Sequence, residues 1–368
     1  MKKVFILVGE ASGDLHASNL VKEMNLAKPS LEWEGWGGDL LQKQGVNLKN
    51  HIRNLSFMGF LEVILNIRTI LNNFKLCKEQ IESFQPDMLI LVDYPGFNLR
   101  MAKWAKSKGI SVTYYISPQI WAWKASRIKL IKETVDKMYC ILPFEKAYYE
   151  KEGFSVSYFG HPLIDAIQNY VNENKTIPVK TKGVIAILPG SREQEVKRTL
   201  AVMLEDAVKY TEFNTVVACA PNLHSSFYSQ YKKDYPFAEF VSGKTYDLLS
   251  IADFAIVTSG TATLETAIFR VPQVVCYRSS YLSYKIAKLL VNIRFISLVN
   301  LIMNKEVVVE LIQGKVTKKA IQRELDRLIY NDSCRQSMLK DYDEMIVLLG
   351  NEGCSKKIAR DLLGFYSA

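Results

Sequence analysis

The chain has few of the residues that brace small secreted or metal-bound folds. Its six cysteines (Cys77, Cys140, Cys219, Cys276, Cys334, Cys354) are scattered through 368 residues, with no C-x-x-C pair. That spacing excludes a disulfide framework and reads as reduced, mostly core thiols of a cytosolic protein. The four histidines (His16, His51, His161, His224) show no ligand spacing, and no His/Cys/Asp cluster points to a metal. With 19 glycines and 11 prolines the chain is not a disordered or low-complexity one. No uncharged run is long enough to span a bilayer. The opening MKKVFILVGEASGD begins like a signal peptide, but its apolar run stops at Gly9-Glu10 without a small-residue cleavage pattern, which argues against export. GEASGD stands where a dinucleotide fingerprint G-x-G-x-x-G would, so no nicotinamide cofactor is expected. There is no G-x-S-x-G and no serine triad.

What remains is a globular composition, 48% hydrophobic and 23% charged, in a chain long enough for two domains. The formal net charge of +9 favours an anionic partner: nucleic acid, a phosphorylated small molecule or an acidic membrane surface. Short apolar runs alternate with helical patterns. Val4 to Val8, Leu31 to Gly35, Met88 to Val92, Ser111 to Ile116 and Lys137 to Leu142 read as strands of a first half. The stretch from Gly160 to Pro178 reads as the passage to a second half, whose strands are Val184 to Leu188, Thr215 to Cys219, Phe254 to Val257 and Val274 to Tyr277. Alternating β and α elements imply parallel sheets covered on both faces. The fold class expected is therefore α/β, two Rossmann-like domains facing a cleft, with ligands at the carboxyl ends of both sheets.

Three junctions carry candidate chemistry. In VIAILPGSREQEVKR (184–198) a buried strand meets a tight turn at Gly190 and Ser191, and a helix follows. Ser191 with Gln194 fits a capping box, so the helix is expected to start at Ser191. Backbone N–H groups and the positive end of the helix dipole would converge there as an anion site, with Arg192 as a forked cation. An ordinary turn with a surface arginine is the alternative. TSGTATLE (258–265) is a second such junction, in which Gly260 allows close ligand approach, Thr261 offers a hydroxyl, and Glu265 could accept ribose hydroxyls or simply stabilise its own helix. In the first half, Asp93 ends the strand Met88 to Val92, where a carboxylate faces the ligand crevice and can act as general base or cap the next turn. Glu10, Ser12 and Asp14 lie on the first strand-to-helix loop, able to hold substrate hydroxyls or helix N–H groups. His161 is expected to order the interdomain passage. Tyr114, Tyr115, Trp121 and Trp123 suit stacking on a base or sugar, or burial.

Two segments are apolar yet studded with cations: Phe57 to Leu76, with Arg68 and Lys75 at its borders, and Tyr281 to Met303, with Lys285, Lys288 and Arg294. Either one is a core-facing amphipathic helix or part of a lipid-touching surface.

Eight motifs fall in one family's order: GEASGD (9–14), GFLEV (59–63), VDYPGFN (92–98), YYISPQIWAW (114–123), LPFE (142–145), GHPL (160–163), LPGSREQEV (188–196) and SGTATLE (259–265). Together they resemble lipid-A-disaccharide synthase across essentially the whole chain. The resemblance implies an inverting glycosyltransferase of the GT-B fold that works without a metal or other cofactor. Its substrates would be UDP-2,3-diacylglucosamine and 2,3-diacylglucosamine 1-phosphate, its products a β(1→6) disaccharide 1-phosphate and UDP. It further implies Asp93 as catalytic base and Gly190, Ser191, Arg192, Gly260, Thr261, Glu265 and Asn300 (in SLVNLI) around UDP. Glu10, Ser12 and Asp14 would lie on the acceptor or interdomain side. Gly96 stands where some members have a second aspartate, which leaves Asp93 as the base. The domains expected are 1–168 for acceptor and membrane, 169–342 for the UDP-sugar, and a C-terminal helix, 343–368, packing back on the first domain or on a partner subunit of a homodimer. The enzyme would sit peripherally on the anionic cytoplasmic face of the inner membrane of Gram-negative cells. Two other readings compete: a UDP-N-acetylglucosamine 2-epimerase-like enzyme, which has no use for lipid-facing segments, and a basic nucleic-acid-binding protein, which would cluster its cations on one face.

Overall fold

A computed structural model of the chain describes residues 2–54, 67–173, 182–281, 284–285, 288, 291 and 293–366. The motif GFLEV and the first half of the apolar segment 57–76 lie outside the described residues, as do parts of 281–303. The chain divides into two compact units, Met1–Ala166 with Leu349–Ala368, and Ile167–Lys288 with Ile293–Leu348.

The first unit is a seven-stranded sheet of order β3-β2-β1-β4-β5-β6-β7. Its strands are β1 (Lys3–Val8), β2 (Glu32–Gly37), β3 (Asn47–His51), β4 (Met88–Val92), β5 (Ser111–Tyr115), β6 (Lys137–Cys140) and β7 (Ser157–Tyr158). Every pairing is parallel. β1 and β4, with Val4↔Met88 through Val8↔Val92 in register, form the centre. Helices cover both faces of a parallel sheet, so the sequences VFILV and MLILV are apolar without alternation and fully buried. Phe5 and Leu7 point into one core and Val4, Ile6 and Val8 into the other.

The final helix, Cys354–Phe365, belongs to this unit: Cys354, Ile358, Ala359 and Leu362 share a core with Ala17, Leu20, Val21 and Met24 of the helix Ala11–Ala27. Its start is pinned by Asp165, whose carboxylate accepts the N–H groups of Gly353 (2.6 Å), Ser355 (2.8 Å) and Cys354 (3.2 Å). Further along, the Tyr139 hydroxyl donates to Asp361 at 2.8 Å.

The second unit repeats the plan with a six-stranded sheet, β10-β9-β8-β11-β12-β13. The strands are β8 (Gly183–Leu188), β9 (Phe213–Cys219), β10 (Ala238–Ser242), β11 (Phe254–Thr258), β12 (Gln273–Tyr277) and β13 (Glu310–Ile312). In each sheet the strand order reverses beside the first strand of the unit. The crevice outside the carboxyl ends at such a reversal is where open α/β sheets bind ligands. In the first unit that point lies after Val8 and Val92, in the second after Leu188 and Thr258.

Candidate active site

In the first unit the chain leaves β1 at Gly9 and β4 at Asp93. A Cβ at Gly9 would lie 2.5 Å from Cγ of Tyr94, so only glycine lets the Tyr94 ring lie across this turn. Asp93 and Tyr94 both have φ of 47°, two consecutive non-glycine residues in the left-handed region. That conformation is strained and persists only where neighbours hold it. Here the Asp93 N–H donates to the Tyr115 carbonyl at 3.0 Å. The Asp93 carbonyl accepts from the Tyr114 hydroxyl at 2.6 Å and from Asn98 Nδ2 at 2.8 Å, and Asn98 Nδ2 also reaches the Val92 carbonyl. Pro95 then opens the helix Pro95–Ser107 with its φ already helical. The Asp93 carboxyl is half-buried, and its pKa is pushed up to about 7. Burial is the main cause, the negative charges of Glu10 and Glu145 add to it, and a hydrogen bond from the Tyr94 backbone offsets part. A carboxylate poised there is suited to general base work near neutral pH.

Glu145 is buried and accepts from Trp121 Nε1 (3.0 Å) and from the N–H groups of Leu142 (3.0 Å) and Ile141 (3.2 Å). Burial raises its pKa as well. It ties the loop after β5 to the loop after β6, and LPFE hides this role because its partner Trp121 is remote in sequence. Tyr114 is fully buried, and it clamps the backbone of Asp93 rather than stacking on a ligand.

Of the three residues on the first loop, Glu10 is the half-buried N-cap position of the helix Ala11–Ala27, without a side-chain cap bond, and Ser12 is half-buried beside it. Asp14 is buried, and its carboxylate accepts from the N–H groups of Gly38 (2.7 Å), Leu40 (3.1 Å) and Leu41 (3.4 Å). It caps the short helix Asp39–Lys43, not its own. His161 is buried too; its Nδ1 accepts the Leu163 N–H at 3.1 Å, at the start of the helix Pro162–Glu173.

In the second unit β8 and β11 are neighbours, with Leu188 paired to Val257, so the two glycine turns emerge side by side. Gly190 has φ of 105°, and a Cβ there would meet Glu195 Oε2 at 2.8 Å and Thr258 Cγ2 at 3.4 Å. The helix Glu193–Ala207 is capped at Arg192, whose carbonyl accepts from Glu195 and Val196 and whose side chain makes no cap bond. The helix thus starts one residue later than the cap expected at Ser191, and Arg192 in its place supplies no side-chain cap bond. Ser191 is exposed, and its carbonyl accepts from Asn222 Nδ2 at 3.0 Å. A helix N-terminus whose N-cap side chain makes no cap bond suits an external anion. Arg192 is exposed and pairs with Glu195 at 3.1 Å.

Gly260 has φ of 148° and caps the helix Thr261–Ile268 without any side-chain bond; a Cβ there would meet nothing within 4 Å. Thr261 is half-buried at the first helical position. One turn on, Glu265 is half-buried with its pKa raised by burial, and it accepts from the Tyr246 hydroxyl at 2.9 Å.

Asn300 is fully buried, and its amide is fully engaged. Oδ1 accepts from Val307 (2.8 Å) and Val308 (2.9 Å), and Nδ2 donates to the Val308 carbonyl (2.8 Å) and Glu310 (2.9 Å). Glu310 also holds the N–H groups of Ile296 and Ser297, and the Ile296 carbonyl accepts from Ser259 beside Gly260. Asn300 therefore shapes the wall behind the Gly260 turn and has no bond to spare for a nucleotide.

Residues 4–360 match the lipid-A-disaccharide synthetase family. A lipid-A-disaccharide synthase of Syntrophus aciditrophicus is 38% identical, with 97% of this chain and 96% of that protein covered. One from Myxococcus xanthus is 36% identical, with 98% and 97% covered. Among solved structures, the UDP-GlcNAc 2-epimerase from Neisseria meningitidis bound to UDP-GlcNAc has a TM-score of 0.65 at 15% identity, covering 99% of this chain and 100% of that one. Medicago truncatula UGT71G1 complexed with UDP-glucose also gives 0.65, at 11% identity, covering 100% and 98%. At such identities these structures share the fold alone, two Rossmann-like domains of the GT-B class, while the sequence relatives are synthases. The chain belongs to the lipid-A-disaccharide synthase family, glycosyltransferases of the GT-B fold.

Proposed function

We propose that Asp93 is the base of the family's sugar transfer and that the Gly190 and Gly260 turns hold UDP. The acceptor, 2,3-diacylglucosamine 1-phosphate, presents its 6-hydroxyl to Asp93. As the carboxylate takes that proton, the acceptor oxygen bonds to the anomeric carbon of UDP-2,3-diacylglucosamine, the bond to UDP breaks with its electron pair leaving on the diphosphate, and configuration inverts. The helix starts at Gly190-Ser191-Arg192 and Gly260-Thr261 would oppose the charge growing on the diphosphate, as oxyanion donors do. Glu265, held by Tyr246, would accept from the ribose hydroxyls.

The observation that carries this reading is the half-buried Asp93 carboxyl, poised near neutrality on a clamped left-handed turn at the strand reversal. The test is Asp93→Asn, assayed with both diacyl substrates and disaccharide read by mass. Transfer should slow by at least about 10²-fold while UDP still binds; near-normal turnover would refute the assignment.

Acyl chains on both substrates call for a membrane surface, and we place the enzyme peripherally on the cytoplasmic face of the inner membrane. Among the described residues no helix is long and apolar enough to cross one. Leu71 (56% exposed) and Leu76 (40%) stand out beside Arg68 and Lys75 on the helix Ile67–Phe84. Tyr281 is 74% exposed, with Lys285 over its ring at 5.3 Å. Apolar side chains bordered by cations are the pattern of an interfacial anchor. Flotation with anionic liposomes should carry the protein upward, and neutral liposomes should do so less; no flotation with either removes this part.

A further inference from the structure

We propose that Arg100, Lys124 and Arg127 form the subsite for the phosphomonoester of the acceptor, on the same unit as Asp93. The proposal rests on the transferase reading above and adds the group that recognises the acceptor's anionic end. Lys124 Nζ lies 4.5 Å and Arg127 Cζ 5.1 Å from the ring centre of Trp123, so both cations gather on one indole. Arg100 comes from the helix that follows β4, its guanidinium 5.6 Å from the ring of Phe74, which is itself stacked on Phe97 at 4.2 Å.

Some basic side chains of this unit have carboxylate partners: Lys106 pairs with Asp136, Lys108 with Glu82, and Lys137 with Asp361. Among the described residues no carboxylate pairs with Arg100, Lys124 or Arg127. They repel one another instead. Burial and then the neighbouring cations hold Lys124 below its usual range, and Arg127 is depressed by burial and by Arg100. A group of cations kept together without a counter-charge has an electrostatic vacancy for an anion.

The surroundings fix this group in place and put it near the base. Lys124 has a left-handed φ of 57°, and its carbonyl accepts the Arg127 N–H at 3.0 Å. Trp121, three residues before Lys124, is bonded to buried Glu145. The Tyr114 hydroxyl, which holds the Asp93 carbonyl, is within electrostatic reach of both the Asp93 carboxyl and Arg127. An acceptor whose 6-hydroxyl meets Asp93 carries its phosphate at the opposite end of one pyranose ring. Forked guanidinium groups suit a phosphomonoester with its several oxygens.

The test has two arms, both on the full chain. In the first, tryptophan fluorescence is titrated with glucosamine 1-phosphate and with glucosamine, with Trp123→Phe identifying the reporter. A saturable change with the phosphate alone is expected, weakened at least about tenfold in Arg100→Gln/Lys124→Gln, since each charge-assisted bond lost is worth a factor of that order. An unchanged affinity in that variant overturns the subsite, whatever the protein's activity. In the second arm, kcat/KM is compared for 2,3-diacylglucosamine with and without its 1-phosphate. The preference for the phosphorylated acceptor should collapse by about tenfold or more in the double variant, while UDP affinity is unmoved. If the variant loses binding to phosphatidylglycerol vesicles but keeps that preference, the cations face the membrane and the subsite is refuted. If the unaltered protein forms no disaccharide, the transferase reading fails, and the first arm still decides on the anion site.

Discussion

The raised pKa of Asp93 ties activity and stability to pH in opposite directions, which makes it a strong test of the site. If its carboxylate is the base, kcat/KM must fall below a limb centred near pH 7, where the folded-state value lies. One unit below that limb only about a tenth of the protein is ionised, so the rate between pH 8 and pH 6 should drop about tenfold. Because burial is the first cause and the Glu10 charge the second, Glu10→Gln should move the limb to lower pH without abolishing it. The stability sign runs the other way. The folded-state pKa stands above the ordinary 3.8, so between the two values the folded protein holds a proton that the unfolded chain has released. Stability is therefore lost as pH rises from about 4 to about 7, by on the order of 4 kcal/mol less whatever solvent screens. Asp93→Asn removes that cost and should melt higher than the unaltered protein at pH 8, by several degrees, with the difference shrinking toward pH 4. A thermal-shift series at four pH values beside the rate profile reads both. An acid limb near pH 4, or an asparagine variant that melts lower at pH 8, would show that the carboxyl is solvated and ordinary, and the base argument would lose its footing.

Arg192→Ala should weaken UDP binding by roughly 10- to 150-fold, the worth of a charge-assisted bond of about 1.5–3 kcal/mol, as read by calorimetric titration. Gly190→Ala should cost about 1–3 kcal/mol, because φ of 105° is unfavourable for alanine and its Cβ would collide with Glu195. Its melting temperature and UDP affinity should fall together, and a variant that keeps both would show the turn to be relaxed. Tyr114→Phe takes away one of two side-chain donors to the Asp93 carbonyl, a loss of about 0.5–1.5 kcal/mol. It should lower kcat several-fold and leave the KM for the UDP-sugar unchanged; a change confined to that KM would place Tyr114 elsewhere in the mechanism.

The strands that the sequence reveals and those it hides differ by position in the sheets. Runs such as Val4 to Val8, Met88 to Val92 and Val184 to Leu188 are continuous and apolar because both faces are covered, and they coincide with β1, β4 and β8 to within a residue. The four strands without such a signal, β3, β7, β10 and β13, are the four sheet edges. NLKNH and AEFVS are half-solvated, and SY and ELI are too short to show any period. Ser111 to Ile116 overruns β5 by one residue, since Ile116 turns to a left-handed φ of 64° that no sequence pattern announces.

At the site the same logic separates residues by what their polar atoms have left to do. Strand ends and glycine turns are local, so the Gly190 and Gly260 junctions can be read from a dozen residues each. The burial of a polar side chain is decided by partners remote in sequence. Asp14 looks like a ligand-facing loop carboxylate until the N–H groups of Gly38, Leu40 and Leu41 are found on it, and Asn300 looks like a nucleotide contact until Val307, Val308 and Glu310 take every bond it can make. Asp93 is the reverse case. Its backbone carries most of the ties, with Tyr114 and Asn98 on the carbonyl and Tyr115 on the N–H, while the carboxyl has the bond from the Tyr94 backbone. A side chain whose main chain is immobilised by others can remain half-buried and underprotected from its own desolvation, and that cost is what raises its pKa into the range where it can accept a proton from an alcohol as the new bond forms.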